Sequence, residues 1–387
     1  MAGKIHVLGA GLSGMVAAIN LTRQGFDVLV LEGAKGIGGM GGLHPSVHTT
    51  PIDPAWMSAE IGIDVTPVFH RPKGFLLGLG GKTFKLNPGP MHTVERGPRP
   101  TSIDTLLYEE ARKSGVSFQF GVYLKDLREL PKGSIVATGL HSEMFDFLAI
   151  PYETPRGFAS TRKTDWDTWC ASSLASYTDD YFYANCVNHL MYGLLFGRKK
   201  ITAENLEACK KDVREKFGLD LEHWEYFTVR VPTASARNPR LFQDGYILAG
   251  TLSGAMDPVA LFGIHGALLS GKVAAVAAED SERGWKAFRR ISRFFRVAFY
   301  LKQFQKKLPA SPALLEFSLR HPGLFYPLMI IPSFSVPGWR GGVWNYEVFR
   351  GAEQVSSRAS GPGVTPAGGG VKPGGTVGEG RPGGFSC

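Results

Sequence analysis

Cysteine is scarce in this 387-residue chain: Cys170, Cys186, Cys209 and Cys387, with no CxxC pair and no spacing that suits a metal. A disulfide framework, a zinc site and a redox dithiol therefore have no support, and no metal is expected. Long apolar runs are missing as well. The nearest, Leu324 to Ile331, is interrupted and flanked by prolines and falls short of the roughly 18 residues that mark a membrane span. The strand signal that opens at Lys4 leaves no room for a secretory leader, so the expected setting is cytoplasmic, with peripheral membrane contact as the alternative. Acidic residues are in deficit, 34 Asp and Glu against 43 Lys and Arg. That balance admits anionic substrates, anionic lipid or nucleic acid, and nucleic acid is set aside because no nucleic-acid fold signature accompanies the charge. The remainder, 43% hydrophobic and 20% charged, is that of an ordinary folded protein long enough for two or three domains.

What is present is concentrated in the stretch KIHVLGAGLSGMVAAINLTRQGFDVLVLEGAKGIGG, from Lys4 to Gly39. An apolar run meets Gly9, Gly11 and Gly14, a helical pattern follows to Gly25, and a second apolar run ends at Glu32. This is the strand, glycine turn, helix and strand of a dinucleotide-binding unit. Gly9 permits the tight turn, Gly11 lets the backbone approach a pyrophosphate, and Gly14 lets the helix lie against the strand. The unpaired N–H groups at the helix start, around Leu12 and Ser13, face the phosphates. Glu32 can accept hydrogen bonds from a ribose and repels a 2′-phosphate. The pair Gly38-Gly39 beyond it resembles the long fingerprint of FAD enzymes, which favours FAD over NAD.

Downstream, residues 36–54 are rich in Gly, Pro and His, among them His44 and His48, and read as a long loop following the ribose-binding carboxylate. FLLGLGGKTFKL (Phe75 to Leu86) reads as a hairpin turning on Gly80-Gly81. Ser102 is placed to cap a helix from Ile103 to Lys113 that stops at Gly115, followed by a strand at 116–120 and another in SIVATG, 134–139. YFYANCVNHLMYGLLF (Tyr181 to Phe196) alternates as two strands joined near Asn185 and Asn188. A charged helix at 203–217 and a strand at 226–231 complete a second, substrate-facing sheet whose polar-tipped residues are Tyr181, Tyr183, His189 and Tyr192. A buried strand at 246–249 then runs through a Gly-rich turn and Asp257-Pro258 into a small-residue helix from about Gly263. The positive end of that helix suits the ring end of a flavin, where negative charge collects on reduction. Trp285 to Leu308 is a basic, aromatic helix with no acid, read either as a covering helix or as an interfacial one on anionic lipid. An apolar, Pro-punctuated segment runs to about Phe349, and residues 354–387, dominated by Gly, Pro and Ser, read as a disordered tail.

Taken in order, the first unit, the RGPRPTSID helix start (96–104), the SIVATG strand and the last glycine turn resemble the geranylgeranyl reductase family within the hydroxybenzoate-hydroxylase-like FAD superfamily, over residues 4 to 278. The resemblance implies an α/β fold: a Rossmann-like FAD-binding domain (1–70, 95–150 and 240–282), an inserted, mostly antiparallel substrate sheet (71–94 and 151–239), a C-terminal helical region (283–353) and the tail. It implies that Gly9, Gly11, Gly14 and Glu32 hold the ADP half of FAD, with Leu12, Ser13, Gly38, Gly39, Arg99, Thr138 and Gly139 as further cofactor contacts. Gly250 and Thr251 would approach the ribityl and diphosphate, and Pro258, Gly263 and Ile264 the ring. The sequence departs from the family at two places: Gly250-Thr251 stands where Gly-Asp is usual, and Leu261-Phe262-Gly263 where Gly-Glu-Gly is common. The implied activity is reduction of carbon–carbon double bonds in an isoprenoid or other hydrophobic substrate, with NAD(P)H or ferredoxin as electron donor. Tyr181, Tyr183 and His189 are the catalytic candidates. A monooxygenase or dehydrogenase of a hydrophobic molecule, and a non-redox isomerase, cyclase or binding protein, are the rival readings.

Overall fold

The computed structural model describes residues 3–38, 44–89, 91–124, 126–258, 260–305, 316–317, 319–321 and 353–355, and its first elements are those the glycine spacing predicts. Strand β1 (Lys4–Leu8) leads through the turn into helix α1 (Leu12–Arg23), and β2 (Asp27–Glu32) returns parallel to β1. Ten consecutive residues of α1, Leu12 to Leu21, are buried. A helix apolar all round must lie between layers. On one side is the sheet; on the other are α3 (Ile103–Lys113), capped by the Ser102 hydroxyl accepting from the Thr105 N–H at 3.1 Å, and α6 (Ile264–Glu279). Gly271 sets the closeness of α1 to α6: a Cβ there would stand 2.4 Å from the Ser13 carbonyl oxygen. The sheet is completed by β8 (Ser117–Phe120), β9 (Ile135–Val136), β15 (Phe242–Gln243) and β16 (Tyr246–Leu248), in the order β15-β16-β9-β1-β2-β8. Only β15 runs antiparallel to its neighbour, so distant chain segments meet at the carboxyl ends of the parallel strands.

A second sheet has the order β14-β10-β13-β12-β11-β5-β6-β17. Its strands are β5 (Phe75–Leu79), β6 (Lys82–Leu86), β10 (Arg156–Lys163), β11 (Trp169–Leu174), β12 (Phe182–Val187), β13 (Leu190–Gly197), β14 (Glu225–Thr228) and β17 (Glu353–Val355). Every pairing is antiparallel except β11 with β5. The period-2 alternation of strands sorts its residues. Phe182, Ala184, Cys186, Met191 and Leu195 join the core against α5 (Ala203–Phe217), and the residues between them face the other way. Helix α5 begins with a capping box between Thr202 and Asn205. The short helices α2 (Pro54–Ile61) and α4 (Ser142–Phe147) fill connections, and α7 (Ser281–Gln305) follows α6 directly.

Several expectations change. The stretch read as a loop contains a strand, β3 (Ser46–Pro51), in a three-stranded sheet β3-β7-β4 with β4 (Phe69–His70) and β7 (Met91–Arg96). Val47, Thr49 and Thr50 are β-branched, and pairing with β7 more than forty residues away organises them. This sheet straddles the expected domain boundaries near residues 70 and 94. The hairpin of β12 and β13 turns at Asn188-His189, with φ of 51° and 59°, and not at Asn185, which lies inside β12. Two successive positive φ values are the signature of a two-residue hairpin turn. Helix α7 starts four residues earlier than read, and β17 places residues 354–355, expected in the tail, on the edge of β6. Residues 356–387, the apolar segment at 322–349 and Gly39, Gly41 and Gly42 lie outside the described residues.

Candidate functional site

One cavity of about 1020 Å³ runs from the glycine turn to the second sheet, at the top of the roughly 300–1,000 Å³ range of small-molecule sites. At one end stand Gly9, Gly11, Leu12, Ser13, Glu32, Thr138 and Gly139, all predicted cofactor contacts. Three glycines there do different work. A Cβ on Gly9, whose φ is +107°, would meet the Ala137 carbonyl oxygen at 2.6 Å, and one on Gly14 would meet the Gly9 carbonyl oxygen at 1.9 Å. A Cβ on Gly11 would meet nothing within 4 Å and would project into open space. The first two glycines serve the fold, whereas Gly11 keeps space free. It is also the N-cap of α1 and brings no side-chain cap, so the first N–H groups of a 12-residue helix open on the cavity.

Glu32 is fixed by accepting from the N–H of Ala10 at 2.7 Å and of Ala34 at 2.9 Å, which leaves lone pairs of its carboxylate toward the cavity it lines. Thr138 Oγ1 and His141 Nδ1, in the wall, are buried with no hydrogen-bond partner among the described residues. Unpaired buried polar atoms are costly, and a ribose or phosphate oxygen would satisfy them. Opposite, Gly250 (φ +67°) donates its N–H to Ser270 Oγ at 2.8 Å, and Thr251 donates its hydroxyl to the Gly139 carbonyl at 2.6 Å. Thr251 therefore ties the last glycine turn to the end of β9. The residues present fit the adenosine and pyrophosphate of a dinucleotide.

The middle of the cavity is lined by Ala260, Leu261, Phe262, Gly263 and Ile264. Asp257 holds this loop by accepting from the Ala260 N–H at 2.8 Å and donating its own N–H to the Phe262 carbonyl at 3.0 Å. Gly263 is the uncapped N-cap of α6, so a second helix N-terminus faces inward. Pro258 lies behind the loop, its carbonyl accepting from Lys302 Nζ, and is not part of the lining.

The far wall belongs to β3 and to the outward face of β12 and β13: His44, Ser46, His48, Tyr183, Asn185 and Tyr192. Their polar atoms are linked. Tyr183 Oη lies 3.4 Å from His48 Nδ1, His48 Nε2 lies 2.9 Å from Ser46 Oγ, and Ser46 Oγ lies 2.7 Å from His44 Nδ1. Burial, with the nearby positive charge of His44 and Arg96, lowers the pKa of His48 to about 3; burial and Arg96 lower that of His44 to about 4. Both rings are neutral at pH 7, and each has one donor and one acceptor nitrogen. Desolvation raises the Tyr183 and Tyr192 hydroxyls above the usual phenol range, so both stay protonated.

Of the catalytic candidates, only Tyr183 stands free to act in the cavity. Tyr181 lines it but donates its hydroxyl to the Ala260 carbonyl at 2.7 Å, which positions the loop before α6. His189 sits in the exposed β12–β13 turn, away from the lining, because the hairpin bends there. Arg99 is also away from the lining. It pairs with buried Glu95 at 3.1 Å and donates to the Asn188 carbonyl at 2.9 Å, while Arg96, three residues earlier, is the arginine that borders the cavity. Gly38 packs against the 97–98 loop, where a Cβ would stand 2.7 Å from the Pro98 nitrogen. His44 and His48, which the loop reading left between a catalytic role and ordinary solvated histidines, are joined here through Ser46, a link the sequence reading did not make. Its signal was the spacing of two, which on a strand puts all three side chains on one face. Among the described residues, no group of three His, Cys, Asp or Glu could hold a metal ion, and no helix is long and apolar enough to cross a membrane.

Residues 7–43 match the family described as NAD(P)-binding Rossmann-like domain. Lysine-specific histone demethylase 1 homolog 2 of Arabidopsis thaliana is 27% identical over 193 residues, 49% of this chain and 23% of that protein, so the chain spans under a quarter of that relative's length. Among solved structures, a geranylgeranyl bacteriochlorophyll reductase-like protein from Thermoplasma acidophilum is similar with a TM-score of 0.60 and 16% identity, covering 85% of this chain and 99% of that one. CtdE, solved in complex with FAD, is similar with a TM-score of 0.53 and 11% identity, covering 78% and 91%. The chain has a Rossmann-like nucleotide-binding unit within the α/β fold found among FAD-binding oxidoreductases.

Proposed function

We propose that the chain is an FAD-dependent oxidoreductase that reduces carbon–carbon double bonds in an apolar substrate. The observation that carries the reading is the continuity of the cavity from the Gly11 and Glu32 end to the Tyr183 and Tyr192 wall. A dinucleotide laid along it would put its reactive ring between the loop at 260–264 and the second sheet. In this reading Gly11, Ser13, Glu32, Thr138 and Thr251 hold the ADP and ribityl portions, and the α6 N-terminus stabilises negative charge on the ring. The division into a discontinuous FAD domain and a substrate sheet belongs to the same proposal.

When bound and reduced, FAD supplies a hydride. The protein's residues do the rest. Phe75, Leu77, Leu194 and Phe227 give the substrate an apolar bed and exclude water. The proton that completes the reduction comes from Tyr183, refilled through His48, Ser46 and His44; each member can donate one way and accept the other, so a proton enters at one end as another leaves. One C=C π bond breaks, two C–H bonds form, and the two electrons are restored by NAD(P)H or ferredoxin. The outward face of α7 is proposed to rest on anionic lipid, the source of such a substrate.

Anaerobic single-turnover spectroscopy tests the activity. Holoprotein reduced with dithionite is expected to regain its oxidised spectrum on adding geraniol and to stay reduced with 3,7-dimethyloctanol, its saturated counterpart. Reoxidation by air alone, with hydroxylated product, would replace reduction by oxygenation; no spectral change with either would remove the redox role.

A further inference from the structure

The far wall of the cavity pairs two tyrosine hydroxyls with an absence of usable charge among the described lining residues. Tyr192 is 2% exposed and lines the cavity, and its hydroxyl makes no hydrogen bond with any described residue. Tyr183 beside it, ring centroids 6.1 Å apart, has only the long 3.4 Å contact to His48. Of the acidic and basic lining side chains, Glu32 and His141 lie at the nucleotide end, His44 and His48 are kept neutral by burial, and Arg96 is already paired. The Arg96 guanidinium forks onto Asp104 through Nε at 2.7 Å and Nη2 at 2.9 Å, and the same carboxylate accepts from the Gly97 N–H at 2.9 Å. Of the undescribed residues next to the lining in sequence, 39–43, 90 and 259 carry no ionisable side chain, and Lys125 follows Leu124, which lies on the Glu32 side of the cavity and not on the tyrosine wall.

An ionised group brought against this wall would lose its water and find no countercharge among the described residues, which costs several kcal/mol. Two helix N-termini do open into the cavity and attract anions, but on the flavoprotein reading, on which this argument rests, the pyrophosphate and the flavin ring occupy them. A neutral oxygen would meet a different reception. It can accept from both tyrosine hydroxyls, and in the direction where His48 donates to Tyr183, the Tyr183 O–H is released toward the cavity.

We infer that the substrate is an uncharged molecule with an apolar body and a single alcohol or carbonyl head, recognised by Tyr183 and Tyr192, and that carboxylates and phosphate esters of the same body are rejected. Tyr183 is thereby a specificity residue as well as a proton donor, and Tyr192 acts in recognition.

The test uses FAD-loaded full-length protein and four ligands that share one body: geraniol, geranial, geranic acid and geranyl diphosphate. Binding is read from perturbation of the flavin spectrum and by calorimetry. The alcohol and aldehyde are expected to bind at least about tenfold tighter than either anion. In Tyr183→Phe with Tyr192→Phe, which keep the rings, the alcohol is expected to lose about tenfold, the value of roughly one buried hydrogen bond. The oxygen-free body, 2,6-dimethylocta-2,6-diene, is expected to bind both proteins alike, and FAD content serves as the folding control. Equal or tighter binding of an anion, an unchanged alcohol affinity in the double variant, or binding of none of the four overturns the inference. A purified protein that takes up no FAD overturns the flavoprotein reading instead, so the two failures are distinct.

Discussion

Gly11 and Gly14, three residues apart in one turn, separate binding from folding. Gly14→Ala drives a Cβ into the Gly9 carbonyl and should destabilise the protein by several kcal/mol, through overpacking at a backbone contact that cannot give way. Gly11→Val meets no described atom within 4 Å at Cβ and should leave the melting temperature of the apoprotein within a few degrees while lowering FAD affinity more than tenfold. Thermal melts of apoprotein alongside FAD titration check both. Three buried histidines set a second expectation. His44, His48 and His265 have pKa values lowered to about 4, 3 and 3, in each case chiefly by burial. The unfolded chain, with histidines near 6.5, therefore binds protons that the folded chain refuses, and the stability present above pH 6.5 is lost as pH falls toward 4. Each such group contributes about 1.4 kcal/mol per pH unit within that window. His265 is the clearest case: it is fully buried, stacks on Phe295 at 5.7 Å, and neither ring nitrogen has a hydrogen-bond partner among the described residues. Urea denaturation at pH 7 and pH 5 should show a lower midpoint at pH 5. His265→Leu should raise stability at pH 7 and flatten the dependence; an unchanged slope would mean the ring is not held neutral.

At the level of elements, what could be read from the sequence was what local chemistry decides. The Ser102 cap and the Gly80-Gly81 turn are local statements, and each element formed where they placed it, as did the charged helix read at 203–217. Strand β3 was hidden because His44, Pro45 and Pro51 around it are loop formers, and its pairing with β7 is a distant partner's contribution. For the same reason, spacing could not tell which of Arg96 and Arg99 faces the cavity, since buried Glu95 and the Asn188 carbonyl draw Arg99 away. Helix α7 illustrates what amphipathy does settle. Phe288, Ile291, Phe295 and Ala298 are buried, whereas Trp285, Arg289, Arg293, Arg296, Val297, Tyr300 and Phe304 form one exposed stripe at helical spacing. Arg289, Arg293 and Arg296 make no ion pair with described residues, unlike Arg290, which pairs with Glu60. A stripe of guanidinium groups and aromatic tips suits an anionic lipid surface. Flotation with phosphatidylserine vesicles should recover the protein in low salt and lose it on Arg289→Glu, Arg293→Glu and Arg296→Glu together; equal flotation of wild type and variant would assign the stripe elsewhere.

Over the whole molecule, two sheets of different character meet across one cavity. The parallel sheet gathers the glycine turn, the end of β9 and the last turn before α6 at its carboxyl edge, as open α/β sheets place their ligands. The antiparallel sheet offers alternate residues of β12 and β13 as a wall and spends the intervening ones on its core with α5. Neither sheet holds a complete site, so the cavity requires both and the order in which the chain visits them. The most direct measurement is therefore of the purified full chain itself: its visible spectrum and, after stripping, a titration with FAD followed by flavin fluorescence. The account predicts bound or readily restored FAD near one molecule per chain, with micromolar or tighter affinity and absorption near 450 nm in keeping with a flavin held by protein. A colourless protein that takes up no FAD at tens of micromolar would contradict it.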